Sequence, residues 1–347
     1  MLQQNSENID SEIADEFSED PGSPKAPAAT ASLTKVSSTA FSLKLKATYP
    51  VSTAWGNRLC YYNNGWVNIP TDCYLTNGNY TISDLVPNTQ YTFELWYNNN
   101  GWVKQTYYFT TDDIPEVLVH SETANLSFEF ESWQISKFTN YNNWKNNMQK
   151  VYAKMLELTG FTPNNGQKIL IKSSRTLPDN VWGQAGTIIE INSKYIPGLI
   201  NQINNGDWSF GVIHELGHMF TSSKLKFSSE MLANFIGFYA VDQLTAKVYV
   251  GNAYYTGGSQ LKGYYYSGSD VSYVNTVANG IYHHDGLLYT FLYLKDLSGI
   301  GWVSYKSAFA YISAMDSTPS NNIGKLNLFL SVLKNYSSID VFSKLNR

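Results

Sequence analysis

The residue types best suited to chemistry gather at His214-Glu215-Leu216-Gly217-His218. Histidines four apart on a helix lie one turn apart on the same face, so both imidazoles can reach a single ion. Neutral imidazole is a good zinc ligand. Glu215 projects about 100° away from His214, beside such an ion rather than onto it. A carboxylate placed there suits taking a proton from a metal-acidified water. With five histidines in 347 residues, this spacing around a glutamate is a specific signal. The plainer reading is two surface histidines. It is disfavoured by the apolar run Phe210-Gly-Val-Ile213 before the motif and Met219-Phe220 after it, because histidines in such a helix are partly buried and need partners.

Zinc catalysis requires a third protein ligand and an open fourth position. Ser228-Ser229 can cap a second helix running through Met231 to Ala240, with Glu230 in its first turn. The chain between His218 and Glu230 is long enough to reverse direction, so the two helices are expected to pack antiparallel. Asn234, one turn beyond Glu230, shares its face and is expected to hold a liganding histidine from behind. Otherwise Glu230 is a first-turn carboxylate favoured by the helix dipole. An oxyanion needs a second donor besides the metal. Tyr239, Tyr282, His283 and His284 are the candidates, with His284 preferred because Asp285-Gly286 can set its ring. The strand Thr187 to Asn192, flanked by Gly183 and Gly186, is expected to offer an edge on which an extended peptide adds. Trp182 beside it is expected to pack, or to contact a side chain or sugar.

The elements that position these residues follow from periodicity. The motif-bearing helix is expected over residues 207–222 with Asp207 as N-cap. Trp144, Met148, Val151, Met155 and Leu158 recur at three to four residues and predict a helix over 141–159, ended by Gly160. Leu118 to Phe130 reads as a strand, and Lys168 to Ser173 as a short buried one. Upstream, residues 31–112 have period two: Phe41, Leu43 and Leu45 alternate with polar residues, as do Tyr91, Phe93, Leu95 and Tyr97. Tyr62-Asn-Asn-Gly-Trp-Val67 and Tyr97-Asn-Asn-Asn-Gly-Trp-Val103 are hairpin signals. Short strands with frequent turns predict a small β-sandwich. Trp66 and Trp102 are expected to pack, with sugar stacking as the alternative. Residues 1–30, acidic and then rich in Pro and Ala, are expected to be a disordered leader. Asp113 to Pro115 marks the boundary between the sandwich, 31–113, and a second domain, 114–347.

Two resemblances bear on this reading. Leu85-Val-Pro87-Asn-Thr89-Gln-Tyr91 resembles the corner of a fibronectin type III domain, which implies that the Tyr91 hydroxyl bonds backbone upstream. The first long strand departs from that pattern in lacking a Trp, since Trp55 falls later. The second segment resembles the gluzincin metallopeptidases, and more narrowly the enhancin and mucinase-type family (metallopeptidase family sixty). Its members share a His-Glu-x-x-His helix, then a Glu, an Asn and a Tyr, here Glu230, Asn234 and Tyr239. Tyr282 to Phe291, followed by Gly301-Trp302, is similar to that family's downstream helix. The resemblance implies an α+β zincin domain with a helical C-terminal part and a zinc cofactor. It also implies an extracellular or cell-surface location and glycoprotein substrates, particularly mucin-like chains carrying O-glycans.

Composition narrows the alternatives. The formal net charge is −4 and only 15% of residues are charged. No Lys/Arg run appears, which argues against nucleic acid or anionic membrane as partner. No apolar run approaches the roughly 20 residues of a membrane span, and the N-terminus lacks the pattern of a signal peptide. Abundant Tyr (26) and Trp (9) suit surfaces that meet glycans. Cys60 and Cys73 are either disulfide-bonded or two separate thiols. The leading expectation is a zinc endopeptidase. The rivals are a catalytically silent carbohydrate- or protein-binding adhesin and a zinc hydrolase of some other amide.

Overall fold

A computed structural model describes residues 30–50, 57–62, 66–69, 76–98, 101–267 and 284–345, with backbone alone at 66–69, 266 and 267. The chain divides into two units, Met1–Pro115 and Glu116–Arg347.

In the first unit the period-two alternation becomes seven strands: β1 (Ser32–Thr39), β2 (Ser42–Thr48), β3 (Arg58–Tyr62), β4 (Trp66–Ile69), β5 (Gly78–Ile82), β6 (Gln90–Asn98) and β7 (Trp102–Thr110). They form two antiparallel sheets, ordered β1-β2-β5 and β4-β3-β6-β7. Successive side chains on a strand point to opposite faces, so Leu43, Leu45, Tyr91, Phe93, Leu95 and Tyr97 all enter one core. Both Asn-Gly strings join paired strands, closing on Tyr62↔Trp66 and Asn98↔Trp102. The Tyr91 hydroxyl accepts the Val86 N–H at 2.8 Å. Burial pushes the Tyr91 pKa up to about 12. Trp102 is exposed rather than packed in the core, and Cys60 is buried. Residues 1–29, Trp55, Cys73 and the Trp66 side chain lie outside the described residues.

The second unit is α+β. Its sheet is built from β8 (Leu118–Glu122), β9 (Leu126–Glu131), β10 (Ile169–Ser174), β11 (Gly183–Ala185) and β12 (Ile189–Asn192), in the order β11-β12-β10-β9-β8. β10 runs parallel to β9 and β12, while β8 and β11 are antiparallel to their neighbours. The expected strand over 118–130 is therefore a hairpin. It breaks at Thr123-Ala124-Asn125, where the Thr123 N–H bonds the Leu126 carbonyl at 2.8 Å. The helices that pack around this sheet and one another are α1 (Ser132–Ile135), α2 (Tyr141–Thr159), α3 (Ile196–Asn204), α4 (Phe210–Met219) and α5 (Ser229–Leu244), then α6 (Gly257–Ser267), α7 (His284–Asp296), α8 (Gly301–Ala314) and α9 (Asn322–Asn335). A short hairpin, β13 (Lys247–Val250) and β14 (Ala253–Thr256), separates α5 from α6. Trp144, Met148, Val151, Met155 and Leu158 of α2 are all buried. Gly160 ends that helix at φ 61°, the left-handed conformation that glycine adopts at least cost. α5 is buried on nearly every side between Met231 and Val241, which makes it the central helix of this unit.

Candidate metal centre

α4 carries the motif. Its start is three residues later than expected, because the cap is Ser209 and not Asp207. The Ser209 hydroxyl accepts the Val212 N–H, and the Asp207 carboxylate accepts the Ser209 N–H at 2.7 Å. Ser209 sits at φ 64°, outside helical geometry, so the helix cannot extend back through it. Phe210, Val212, Ile213, Leu216 and Met219 face the core. That leaves His214 and His218 one turn apart on the remaining, half-buried face.

α5 meets that face. A Cβ on Gly237 would touch Ile213, one on Gly217 would fall 2.4 Å from the Ala233 carbonyl oxygen, and Ser229 bonds His218. Partner numbers fall along α5 as they rise along α4, so the helices run antiparallel. Gly217 is what lets their backbones approach this closely, since any side chain there would overlap Ala233.

This crossing brings three side chains together. His214 Nε2 and His218 Nε2 lie 3.1 Å apart, and Glu230 Oε2 is 3.3 Å from the first and 3.6 Å from the second. Among the described residues this is the one group of three or more His, Cys, Asp or Glu side chains able to share a metal ion. Each imidazole is fixed from behind. His214 Nδ1–H donates to Asn234 Oδ1 at 2.8 Å, and His218 Nδ1 is 3.0 Å from the Ser229 hydroxyl. An amide oxygen only accepts, so it commits the His214 proton to Nδ1 and leaves the Nε2 lone pair facing inward.

The fit to zinc can be judged from the donor set. Bonds of about 2.0–2.1 Å in tetrahedral geometry place ligand atoms roughly 3.3 Å apart, the scale of the three separations here. Two imidazole nitrogens and one carboxylate oxygen are ligands that zinc accepts, and three protein ligands leave a fourth position open. The two imidazoles beside it, His214 and His218, hold the Glu230 carboxyl well below the usual carboxylate range, so it is a charged donor.

Glu215 lies next to this group and is 8% exposed. Burial pushes its carboxyl up, opposed by the charges of His214 and His218. The backbone of β11 runs beside it: a Cβ on Gly183 would stand 3.7 Å from Glu215 Oε1.

The structure does not gather every expected residue. Tyr239 is buried and its hydroxyl donates to Glu157 at 2.8 Å, with Lys306 on the same carboxylate. Five residues beyond Asn234 is about 500° of helix, so Tyr239 points toward α2 and α8 rather than the histidines. His284 opens α7 and bonds the Ser228 hydroxyl through Nδ1 at 2.9 Å. Ser228 and Ser229 thus hold one histidine each. Tyr282 and His283 lie outside the described residues. The expected edge is also displaced: β12 is paired on both sides, and β11 forms the sheet edge. Sequence reasoning passed over Ser229 as a support for His218, although its place directly before Glu230 is the signal that marks it.

No family model matches the sequence, and no curated protein matches it. Among solved structures, the chain is similar to the M60 catalytic domain from Clostridium perfringens ZmpC, solved in complex with the sialyl T antigen. That likeness has 13% identity over 90% of this chain and 70% of that one, with a TM-score of 0.45. The chain is also similar to the fibronectin type-III domain of human fibronectin type III domain containing protein 3, at 19% identity over 27% of this chain and 94% of that one, with a TM-score of 0.19. Both likenesses are distant, and the chemistry of the centre stands on its own geometry.

Proposed function

We propose that this protein is a zinc-dependent endopeptidase whose metal is held by His214, His218 and Glu230 and whose general base is Glu215. The observation that carries the reading is the convergence of two imidazole nitrogens and a carboxylate oxygen within 3.6 Å of one another, beside a further buried carboxylate and an open sheet edge. A zinc ion in that position supplies Lewis-acid polarisation of a carbonyl and acidifies a water. The protein does the rest. Trp182 pairs with Asn192 and Gly186 with Ile188 across β11 and β12, and bonding alternates along an antiparallel ladder. Gly183 and Ala185 therefore turn their N–H and C=O groups to the free edge, where an extended peptide adds as a further strand. Glu215 takes the proton of the attacking water as the C–O bond forms, then passes it to the nitrogen as the C–N bond breaks. His284, steadied by Ser228, is the proposed donor to the oxyanion.

The substrate class, O-glycosylated chains of mucin type met outside the cell, is proposed from the resemblance of the zinc motif with Glu230, Asn234 and Tyr239 to the enhancin and mucinase-type family. The domains proposed are a fibronectin type III-like module over 31–113 and the peptidase over 114–347. The test is digestion of a mucin and of casein with and without chelator, read by mass spectrometry, for wild type and Glu215→Gln. The variant should keep its zinc and lose about 10²–10⁴-fold in turnover. Unchanged proteolysis by Glu215→Gln defeats the assignment, and absence of chelator-sensitive cleavage of either substrate favours a binding protein instead.

A further inference from the structure

We propose that Trp182 and Gly211 are positioning residues that set the distance between edge strand β11 and the base-bearing helix α4, and with it the alignment of a bound peptide to Glu215. This rests on the hydrolase reading above. A Cβ added at Gly211 would fall 2.6 Å from Trp182 Cη2 and 2.8 Å from Cζ3. The six-membered ring of Trp182 therefore lies on bare helix backbone. Gly211 is one turn before Glu215 on the same face. Trp182 is followed at once by Gly183, whose own Cβ position stands 3.7 Å from both Cγ and Oε1 of Glu215. Trp182 and Gly183, adjacent at the start of the strand, thus meet two helix positions one turn apart, an arrangement that fixes both spacing and tilt.

β11 is three residues long and pairs on one side with β12. Its approach loop is tied to β12: buried Asn192 donates through Nδ2 to the carbonyls of Pro178 at 3.0 Å and Val181 at 3.1 Å. These bonds fix where the loop ends, while the indole ring fixes how near the strand stands to Glu215. Carbon atoms rest at about 3.5–4.0 Å, so a methyl group at position 211 must drive the ring back by about 1 Å. A displacement of that size between reacting groups can cost about 100-fold in rate.

The experiment is a double-mutant cycle of Gly211→Ala and Trp182→Phe on the full chain, with two readouts. The first is hydrogen exchange of the 182–186 backbone without added metal, and the second is kcat and KM for a mucin-type substrate with zinc. Gly211→Ala should speed exchange in 182–186 and lower kcat about 10–100-fold at unchanged zinc stoichiometry. The smaller ring in the double variant should restore most of both. Alanine raises helix propensity, so α4 itself is not weakened; should Gly211→Ala still fail to fold, Trp182→Ala must produce the same exchange and kcat losses. Wild-type exchange and kcat in Gly211→Ala, or a double variant no better than Gly211→Ala alone, overturns the proposal. A wild-type chain that cleaves nothing defeats the hydrolase reading instead, and the exchange readout still judges the contact.

Discussion

Replacing Asn234 with alanine isolates what the bond behind a ligand contributes. Asn234 lies on the central helix and touches the site through one 2.8 Å hydrogen bond, to His214 Nδ1. Without it, the imidazole keeps its place at Nε2 but loses the acceptor that fixes its tautomer and ring angle. Loss of such a partner typically weakens metal binding by 10–100-fold, or about 1.4–2.7 kcal/mol. Ser229→Ala removes the matching 3.0 Å contact on His218. A hydroxyl sets the tautomer less firmly than an amide oxygen, because it can donate as well as accept, so its loss should fall at the lower end. The two supported rings lie 3.1 Å apart and share one ion, so the losses are coupled and the double variant should depart from the sum. Competition for zinc against a chromophoric chelator measures all three affinities, with circular dichroism to verify the fold. Zinc affinity in Asn234→Ala within twofold of wild type would refute the claim that this bond orients a ligand.

Three further outcomes follow from the packing and the charges. Gly217→Ala places a methyl 2.4 Å from the Ala233 carbonyl oxygen, so it should force α4 and α5 apart, destabilise the chain by about 3 kcal/mol and abolish zinc binding, seen as a lower Tm and zero metal stoichiometry. Tyr91→Phe leaves the buried Val86 N–H without its 2.8 Å acceptor and should cost about 1–3 kcal/mol in urea unfolding, with the zinc stoichiometry unchanged. Asp207 is buried, and burial raises its pKa to about 6. The native state therefore holds this proton more tightly than the unfolded chain, whose value is about 3.9. Its stabilising contribution is complete below about pH 4 and is lost as pH rises through about 6, an effect of up to about 3 kcal/mol. Chemical unfolding at pH 4.5 and 7 should show Asp207→Asn flattening that dependence.

How far the sequence could be read depended on how locally each feature was encoded. The His214 and His218 pair, the Glu230 and Asn234 turn and the α2 face are all set by spacing within one element, and periodicity exposes such features, while the Tyr91 corner was legible only through the fibronectin type III resemblance. Tyr239, which the family resemblance sets beside Glu230 and Asn234, lies five residues past Asn234, where the helix has turned toward Glu157. β11 escaped notice because Gly183-Gln184-Ala185 is too short for alternation to register, so the edge was assigned to its better-patterned neighbour β12. Asp207 has the chemistry of a cap, but the left-handed φ of Ser209 moves that role two residues on. The contact of Trp182 with Gly211 and that of His284 with Ser228 join distant segments, and no single-element pattern announces them.

The brevity of β11 bears on what this protein can recognise. Two residues with outward backbone groups offer at most about four hydrogen bonds to an incoming chain, each adding roughly 0.5–1.5 kcal/mol net. An unadorned polypeptide laid on so short a ledge is held loosely and leaves quickly. On the peptidase reading, selectivity must then come from groups that the substrate carries beyond its backbone.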